Sequence, residues 1–224
     1  MTSKTLFITG ASSGIGAATA RAAVDGGWNV GLMARSADTL DDLVKDLGDA
    51  ALALPGDVTD FDAQVDALKR LSDRFGDVNA AFANAGMGVD HPGAQEGDLK
   101  EWDKLIDLNI MGLLKTVKAA LPYLSQNRGH MVLTGSAAGR VHLSGSVYGA
   151  TKWFVHGFGG NLAQEMKEWG GRCTVVAPGM VNTSFFDEPK PGKLEASDVA
   201  EAVMLALNAS EVNDVREIFL MPRG

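Results

Sequence analysis

The sequence predicts an α/β fold, a doubly wound parallel sheet of about seven strands with helices on both faces. Three observations predict it. Short β-rich apolar runs alternate with segments of helical period along the whole chain. The strand runs are apolar throughout rather than alternating, as strands covered on both faces are. The first run ends in a glycine-rich turn that leads straight into a helix.

The first strand is read over residues 4–9, Lys-Thr-Leu-Phe-Ile-Thr, and stops at Gly10. Residues 9–16, Thr-Gly-Ala-Ser-Ser-Gly-Ile-Gly, then open a helix over 17–24. Backbone N–H groups of such a turn can approach a pyrophosphate, and the helix dipole favours the negative charge. An ordinary Gly/Ser loop is the alternative. The general pattern G-x-G-x-x-G is not met, since Thr19 stands three residues after Gly16; the variant T-G-x-x-x-G-x-G is.

Residues 29–34 read as the second strand and 36–47 as a helix with Leu40, Leu43, Val44 and Leu47 on one face. A third strand over 50–54 ends at Pro55-Gly56-Asp57-Val58. Thr59 with Asp62 resembles a capping box, and Phe61, Val65, Leu68 and Phe75 would form the buried stripe of the next helix. A fourth strand over 78–83 opens into Asn84-Ala85-Gly86; a polar loop over 88–97 and a long helix over 98–126 follow. Asn109 interrupts an apolar stretch of that helix. A buried amide left unbonded costs about 1–3 kcal/mol, so Asn109 either packs against backbone as a helix distortion or holds a water for chemistry.

The fifth strand, 130–134, ends at Gly135-Ser136, and a loop of small residues over 137–145 leads to a helix starting at Ser146. Within it Tyr148 and Lys152 are four residues apart and project from one face. A free tyrosine, with a pKa of about 10, is a poor acid-base catalyst near neutrality, and a neighbouring cation pulls that value down. Tyr and Lys at this spacing are also common surface neighbours. Ser136, at the carboxyl end of its strand, lies where ligands bind in open α/β sheets. A sixth strand over 173–177 is closed by Pro178-Gly179, a loop runs to Ala196, a helix begins at Ser197 or Asp198 and runs to about Asn208, and a last strand spans 216–221.

The formal net charge of −8 and pI near 4.9 argue against nucleic acid or an acidic membrane surface as partner. The lone Cys173 lies in a strand run and cannot form an internal disulfide. With no signal-like core, no spanning run, no repeat and no linker, the expectation is one cytoplasmic domain over residues 1–224. His91, His142 and His156 have no shared spacing and no carboxylate or cysteine partners that would make a metal site, so they read as surface or pocket-lining residues, and His130 as structural; no metal site is expected.

Four separated motifs point the same way: residues 9–16, Asn84-Ala85-Gly86, Ser136 with Tyr148-x-x-x-Lys152, and Pro178-Gly179 with Thr183. Together they resemble the short-chain dehydrogenase/reductase family, over essentially the whole chain. The resemblance implies a Rossmann-type dinucleotide-binding domain. It implies Tyr148 as acid-base catalyst and Lys152 as the group that lowers its pKa and binds the nicotinamide ribose. Ser136 would orient the reacting oxygen, and Asn109 would hold a water linking the lysine to solvent. Gly10, Ser12, Ser13, Gly14, Ile15 and Gly16 would cradle the pyrophosphate; Asp57 and Val58 would flank the adenine; Asn84, Ala85 and Gly86 would support the adenosine ribose. Pro178, Gly179, Val181 and Thr183 would meet the carboxamide. Where many members have two consecutive asparagines, this chain has Ala83-Asn84, a small departure.

The implied activity is an oxidoreductase interconverting a small-molecule carbonyl and a secondary alcohol by hydride transfer. A non-enzymatic nucleotide-binding regulator is the competing class, against which the complete set of Asn109, Ser136, Tyr148 and Lys152 argues. An acyl hydrolase on Ser136 lacks a G-x-S-x-G elbow and a motif-placed His and acid. Cofactor choice turns on Ala34 and Arg35. The acidic residue that would accept from a ribose 2′-hydroxyl is absent at 34, and the Arg35 guanidinium, helped by Ser12, Ser13 or Ser36, suits a 2′-phosphate, so NADP(H) is expected. Gly157, Gly159 and Gly160 after Lys152 call for close packing, which with the family's habit points to a homodimer or homotetramer. Met87, Met180, Phe185 and Phe186 either line an apolar pocket or simply pack. The thirteen residues over 184–196 are a short lid, which suggests an open cleft.

Overall fold

The computed structural model describes residues 3–91, 93–186 and 188–223. Seven strands form one parallel sheet: β1 (Thr5–Thr9), β2 (Asn29–Ala34), β3 (Ala51–Pro55), β4 (Ala80–Ala83), β5 (His130–Thr134), β6 (Arg172–Pro178) and, last in the chain, β9 (Glu217–Leu220), in the order β3-β2-β1-β4-β5-β6-β9. Two-residue strands β7 (Val181–Asn182) and β8 (Leu194–Glu195) pair with each other in the connection between β6 and the last helix. The strand order reverses between β1 and β4, and the crevice above their carboxyl ends is where such folds take ligands.

All five residues of β1 are buried, and successive side chains serve opposite faces. Leu6 and Ile8 join a core with helices α1 (Gly14–Asp25), α2 (Ala37–Leu47) and α7 (Ala196–Leu207). Phe7 joins the other core with α3 (Phe61–Phe75), α5 (Leu113–Leu124) and α6 (Val147–Lys167). Burial of each leucine in these layers contributes about 1.5–3 kcal/mol. The pyrophosphate turn, the serine loop and the tyrosine helix therefore hang from a sheet held on both sides.

Four local expectations change. Asp60, not Thr59, caps α3: its carboxylate accepts from the N–H of Asp62 and Ala63, while Thr59 donates to Asp57. The buried face of α3 is Gln64, Ala67, Leu68 and Leu71; Phe61 and Val65 are exposed because they lie at the rim of the α3–α5 contact, where they line a surface groove with Lys118, Ala119, Pro122 and Tyr123. The single long helix over 98–126 is instead α4 (Leu99–Ile106), a π-turn at Asp107–Gly112, α5 and a short 3-10 turn. The N-cap of α7 is Glu195, whose reciprocal bonding with Asp198 closes a capping box. Among the described residues no helix is long and apolar enough to cross a membrane.

Candidate active site

β1 delivers Gly10 at φ +65°, and the chain turns into α1 through Gly14 at φ +52°. A Cβ on Gly16 would lie 2.2 Å from the Gly10 carbonyl oxygen, and one on Gly10 would lie 2.8 Å from the Ala85 Cα. Only glycine allows the turn to close on itself and on the end of β4 this tightly. No side chain caps α1 at Ser13, which leaves first-turn N–H groups and the positive end of the helix dipole for a ligand. This cradle and donor set fit a dinucleotide pyrophosphate. Ser12 is partly exposed, and Ile15 packs against the core beneath the turn.

Asn84 is spent on scaffolding. Its Nδ2 donates to the carbonyls of Thr9 and Gly10 at 3.1 and 3.2 Å, and its Oδ1 accepts from the Thr134 hydroxyl at 3.2 Å. One side chain thus joins the ends of β1, β4 and β5. Across the cleft, a Cβ on Gly14 would sit 3.4 Å from Thr183, so the segment after β6 reaches the glycine turn. Gly179 donates to Leu220 at 2.7 Å, and Val181 is buried in the β7–β8 pair.

Just past the ends of β2 and β3 the structure brings Arg35 and Asp57 within electrostatic reach. Asp57 accepts from the Thr59 N–H and hydroxyl, both at 2.9 Å. The Thr59 N–H holds the Asp57 carboxyl below its usual range, with Arg35 and Lys115 adding to the same effect. Arg35 is exposed and, among the described residues, has no hydrogen-bond partner; Ala34 before it is buried. Val58 points into the core, where a Cβ on Gly112 would meet it at 3.2 Å, so only its backbone can flank a base.

The reacting end gathers Asn109, Ser136, Tyr148 and Lys152. Ser136 caps a 3-10 turn, its Oγ accepting from the Ala138 N–H at 3.1 Å. Ser146 caps α6 by accepting from Gly149, which starts the helix so that Tyr148 and Lys152 fall on successive turns. Lys152 is 7% exposed and donates to the Thr134 carbonyl at 2.9 Å. Burial pulls its ammonium down to about 8. The Tyr148 phenol is pushed above its usual value by burial, and a side-chain hydrogen bond with Ser136 opposes that shift. The expected depression by Lys152 does not rule here, because the ammonium lies 5.8 Å from the ring centroid and is turned to a backbone carbonyl.

Asn109 is both a distortion residue and a tie. It sits in the π-turn, its Oδ1 accepts from Met87 N–H at 2.9 Å, and its Nδ2 donates to the Met87 carbonyl at 3.0 Å and to Thr151 at 3.3 Å. A Cβ on Gly86 would press on its Oδ1 at 3.3 Å. The π-turn, a common functional device inside helices, sets this amide between the β4 loop and α6. Thr9 opens the glycine motif, but Thr134 and Thr151, which complete these ties, carry no sequence pattern that singles them out.

Phe185 lies over the site, its ring 5.8 Å from that of Tyr148 and its edge against Gly88; Phe186 meets it edge-on at 5.2 Å. The short lid, of which Asp187 lies outside the described residues, thus sets the Phe185 ring beside Tyr148, which stays partly exposed. Two histidines lie beside single carboxylates, His91 by Glu101 at 3.1 Å and His156 by Glu217 at 3.3 Å. His142 stacks on Trp153, and among the described residues no three His, Cys, Asp or Glu converge as metal ligands. Cys173 is buried, its thiol pushed up to about 12.

A family model described as short chain dehydrogenase matches residues 4–193. Serine 3-dehydrogenase of Agrobacterium fabrum is 40% identical over 197 residues, 88% of this chain and 79% of that protein. An uncharacterized oxidoreductase of Staphylococcus epidermidis is 34% identical over 226 residues, covering 98% of this chain and 97% of its own. Among solved structures, an alcohol dehydrogenase from the archaeon Thermococcus sibiricus, complexed with 5-hydroxy-NADP, superposes with a TM-score of 0.90 at 30% identity over 98% of this chain and 97% of that one. A serine dehydrogenase in closed form, complexed with NADP+, gives a TM-score of 0.90 at 27% identity over 97% of this chain and 94% of that one. The sheet order, the glycine turn and a family match across most of the chain lead to one conclusion: this chain belongs to the short chain dehydrogenases, a family of nucleotide-binding oxidoreductases.

Proposed function

We propose that residues 1–224 form one catalytic domain, an NADP(H)-dependent oxidoreductase that interconverts a carbonyl and a secondary alcohol. The observation that carries this is the gathering of Ser136, Tyr148 and Lys152 at the carboxyl end of β5, with Lys152 Nζ 5.8 Å from the Tyr148 ring and 2.9 Å from the Thr134 carbonyl oxygen. NADPH, when bound, supplies the hydride that reduces the carbonyl carbon. Ser136 holds the carbonyl oxygen, and Tyr148 gives it the phenolic proton. Burial keeps that phenol neutral, which is the form an acid needs, while the Ser136 hydroxyl works in the opposite sense, toward the phenolate that the oxidation direction uses. Asn109, through the water it would hold, links Lys152 to solvent for proton recovery. The gathering of these four residues argues against the regulator reading.

For substrate, the likeness to serine 3-dehydrogenases makes β-hydroxy acids the first compounds to try. The Phe185 ring beside Tyr148 offers apolar contact to the group flanking the reacting carbon. A panel of ketones, aldehydes and β-hydroxy acids with each cofactor, followed by nicotinamide absorbance, tests the activity; cofactor binding without turnover on all of them would sink it.

The cofactor preference rests on Ala34 and the unbonded Arg35, and two NADP-bound structural relatives support it. In Ala34→Asp a carboxylate would repel a 2′-phosphate and accept from a 2′-hydroxyl. The ratio of kcat/KM for NADPH over NADH should fall roughly 10- to 100-fold, the size of one or two charge-assisted hydrogen bonds. A wild type that prefers NADH would contradict the assignment.

A homodimer or homotetramer is part of the same reading. Gly159 is accounted for inside the chain, since a Cβ there would lie 2.5 Å from Val175, but Gly157 and Gly160 face open space beside exposed Trp153. Each glycine costs about 1 kcal/mol against alanine in a helix, which close approach of a second α6 would offset. Sedimentation at micromolar concentration should show a dimer or larger; a monomer, with or without cofactor, would refute this.

A further inference from the structure

His156 stands one helical turn beyond Lys152, its side chain 5% exposed, and takes no part in the chemistry described above. Space is cleared for it. A Cβ on Gly139 would lie 2.6 Å from its Cδ2, and one on Gly135 would lie 3.1 Å from its Nε2. The two glycines flank Ser136 in sequence, so the serine loop is wrapped around this imidazole. Nε2 is 3.1 Å from the Ser136 carbonyl oxygen, which also accepts from the Gly139 N–H at 2.9 Å. Nδ1 lies 3.3 Å from Glu217 Oε1 on β9. Glu217 in turn receives both Nε and Nη2 of Arg140, the residue that ends the same serine loop.

The loop over 136–140 is thus gripped at both ends from β9 and α6. We propose that His156 is a positioning residue for the catalytic serine: by donating to the Ser136 carbonyl, while the Arg140–Glu217 ion pair holds the other end of the loop, it fixes the direction of the Ser136 hydroxyl. The residue types are those of a hydrolytic triad, but the imidazole meets the carbonyl oxygen of Ser136 and not its hydroxyl, so it has no nucleophile proton to take. Position, not proton transfer, is what this arrangement can provide. The ring needs its proton on Nε2 for that bond, and the charged groups that face it are Glu217 from β9, Arg140 from the serine loop and Lys152 from its own helix. Burial, the leading influence, holds it in the neutral state.

The catalytic consequence rests on the proposed carbonyl reductase activity, whereas the structural clamp does not, and the test separates them. His156→Leu removes the donor; His156→Gln keeps an N–H that can reach the same carbonyl. In His156→Leu, amide exchange at Ala138 and Gly139 should speed up at least tenfold while β1–β4 exchange is unchanged, and kcat should fall about 10- to 100-fold with cofactor affinity unaltered. His156→Gln should recover most of both. Unchanged exchange at Ala138 and Gly139, or a glutamine variant as poor as the leucine one, would overturn the clamp. Altered exchange with wild-type kcat would overturn the positioning role, and loss of cofactor binding in step with kcat would mark a general defect and do the same. A wild type that turns over none of the substrate panel would count against the proposed function alone, because the exchange measurement still decides the clamp.

Discussion

Tyr148→Phe is expected to slow carbonyl reduction by about 10²- to 10⁴-fold, the usual worth of a general acid, while cofactor binding is kept. The phenylalanine ring fills the same space against Phe185 and leaves α6 intact, so only the proton donor and the Ser136 hydrogen bond are lost. Ser136 cannot replace it, because a serine hydroxyl is a far weaker acid than a phenol, and Lys152 is turned to the Thr134 carbonyl. Single-turnover rates with saturating cofactor check this. Retention of more than about a tenth of wild-type kcat on an active substrate would mean that the proton comes from elsewhere.

Acid should destabilise the protein through His130. This first residue of β5 is 3% exposed, with Nε2 2.7 Å from the Thr174 hydroxyl. That hydroxyl donates to the Val215 carbonyl, so it accepts from His130 and the ring carries its proton on Nε2. Nδ1 is buried without a partner. Burial, with Arg172 nearby, pulls the imidazole from its ordinary 6.5 down to about 3. The folded value is below the unfolded one, so the unfolded chain binds the extra proton first as pH falls. Stability from this group is complete above about 6.5 and is lost as pH drops toward about 3. At about 1.4 kcal/mol per pH unit, the loss approaches 3 kcal/mol by about pH 4.5. Denaturant titrations between neutral pH and that point should show a shallower fall in His130→Gln, which keeps the donor and cannot titrate. Equal slopes in the two proteins would contradict it.

The glycine turn and the Tyr148–Lys152 pair were legible in the sequence because each is local: a strand, a turn and a helix in one case, one helical spacing in the other. The strand-helix alternation likewise fixed the sheet class, as the central strands β1, β4 and β5 are covered by helices on both faces. What escaped depends on partners far along the chain. Asp57, Thr59, Asp60 and Asp62 are all able to cap, and which one does is settled only when Asp57 binds Thr59. The buried face of α3 includes Gln64, which donates to the carbonyls of Val58 and Gly112, while Phe61 and Val65 are left at the exposed rim beside α5. The π-turn around Asn109 is held by Met87 and Thr151. His156 has readable spacing from Lys152, but its partner Glu217 comes from the last strand and nothing local announces it.

Hydride transfer itself is tested most directly by isotope. Wild-type protein is given NADPH deuterated on the transferable position of the nicotinamide together with the carbonyl panel, and the products are read by mass spectrometry. The proposed function predicts an alcohol carrying one deuterium on the former carbonyl carbon, with none in Tyr148→Phe over the same time. Cofactor bound but no deuterium in any product would contradict the assignment of this site as a carbonyl reductase.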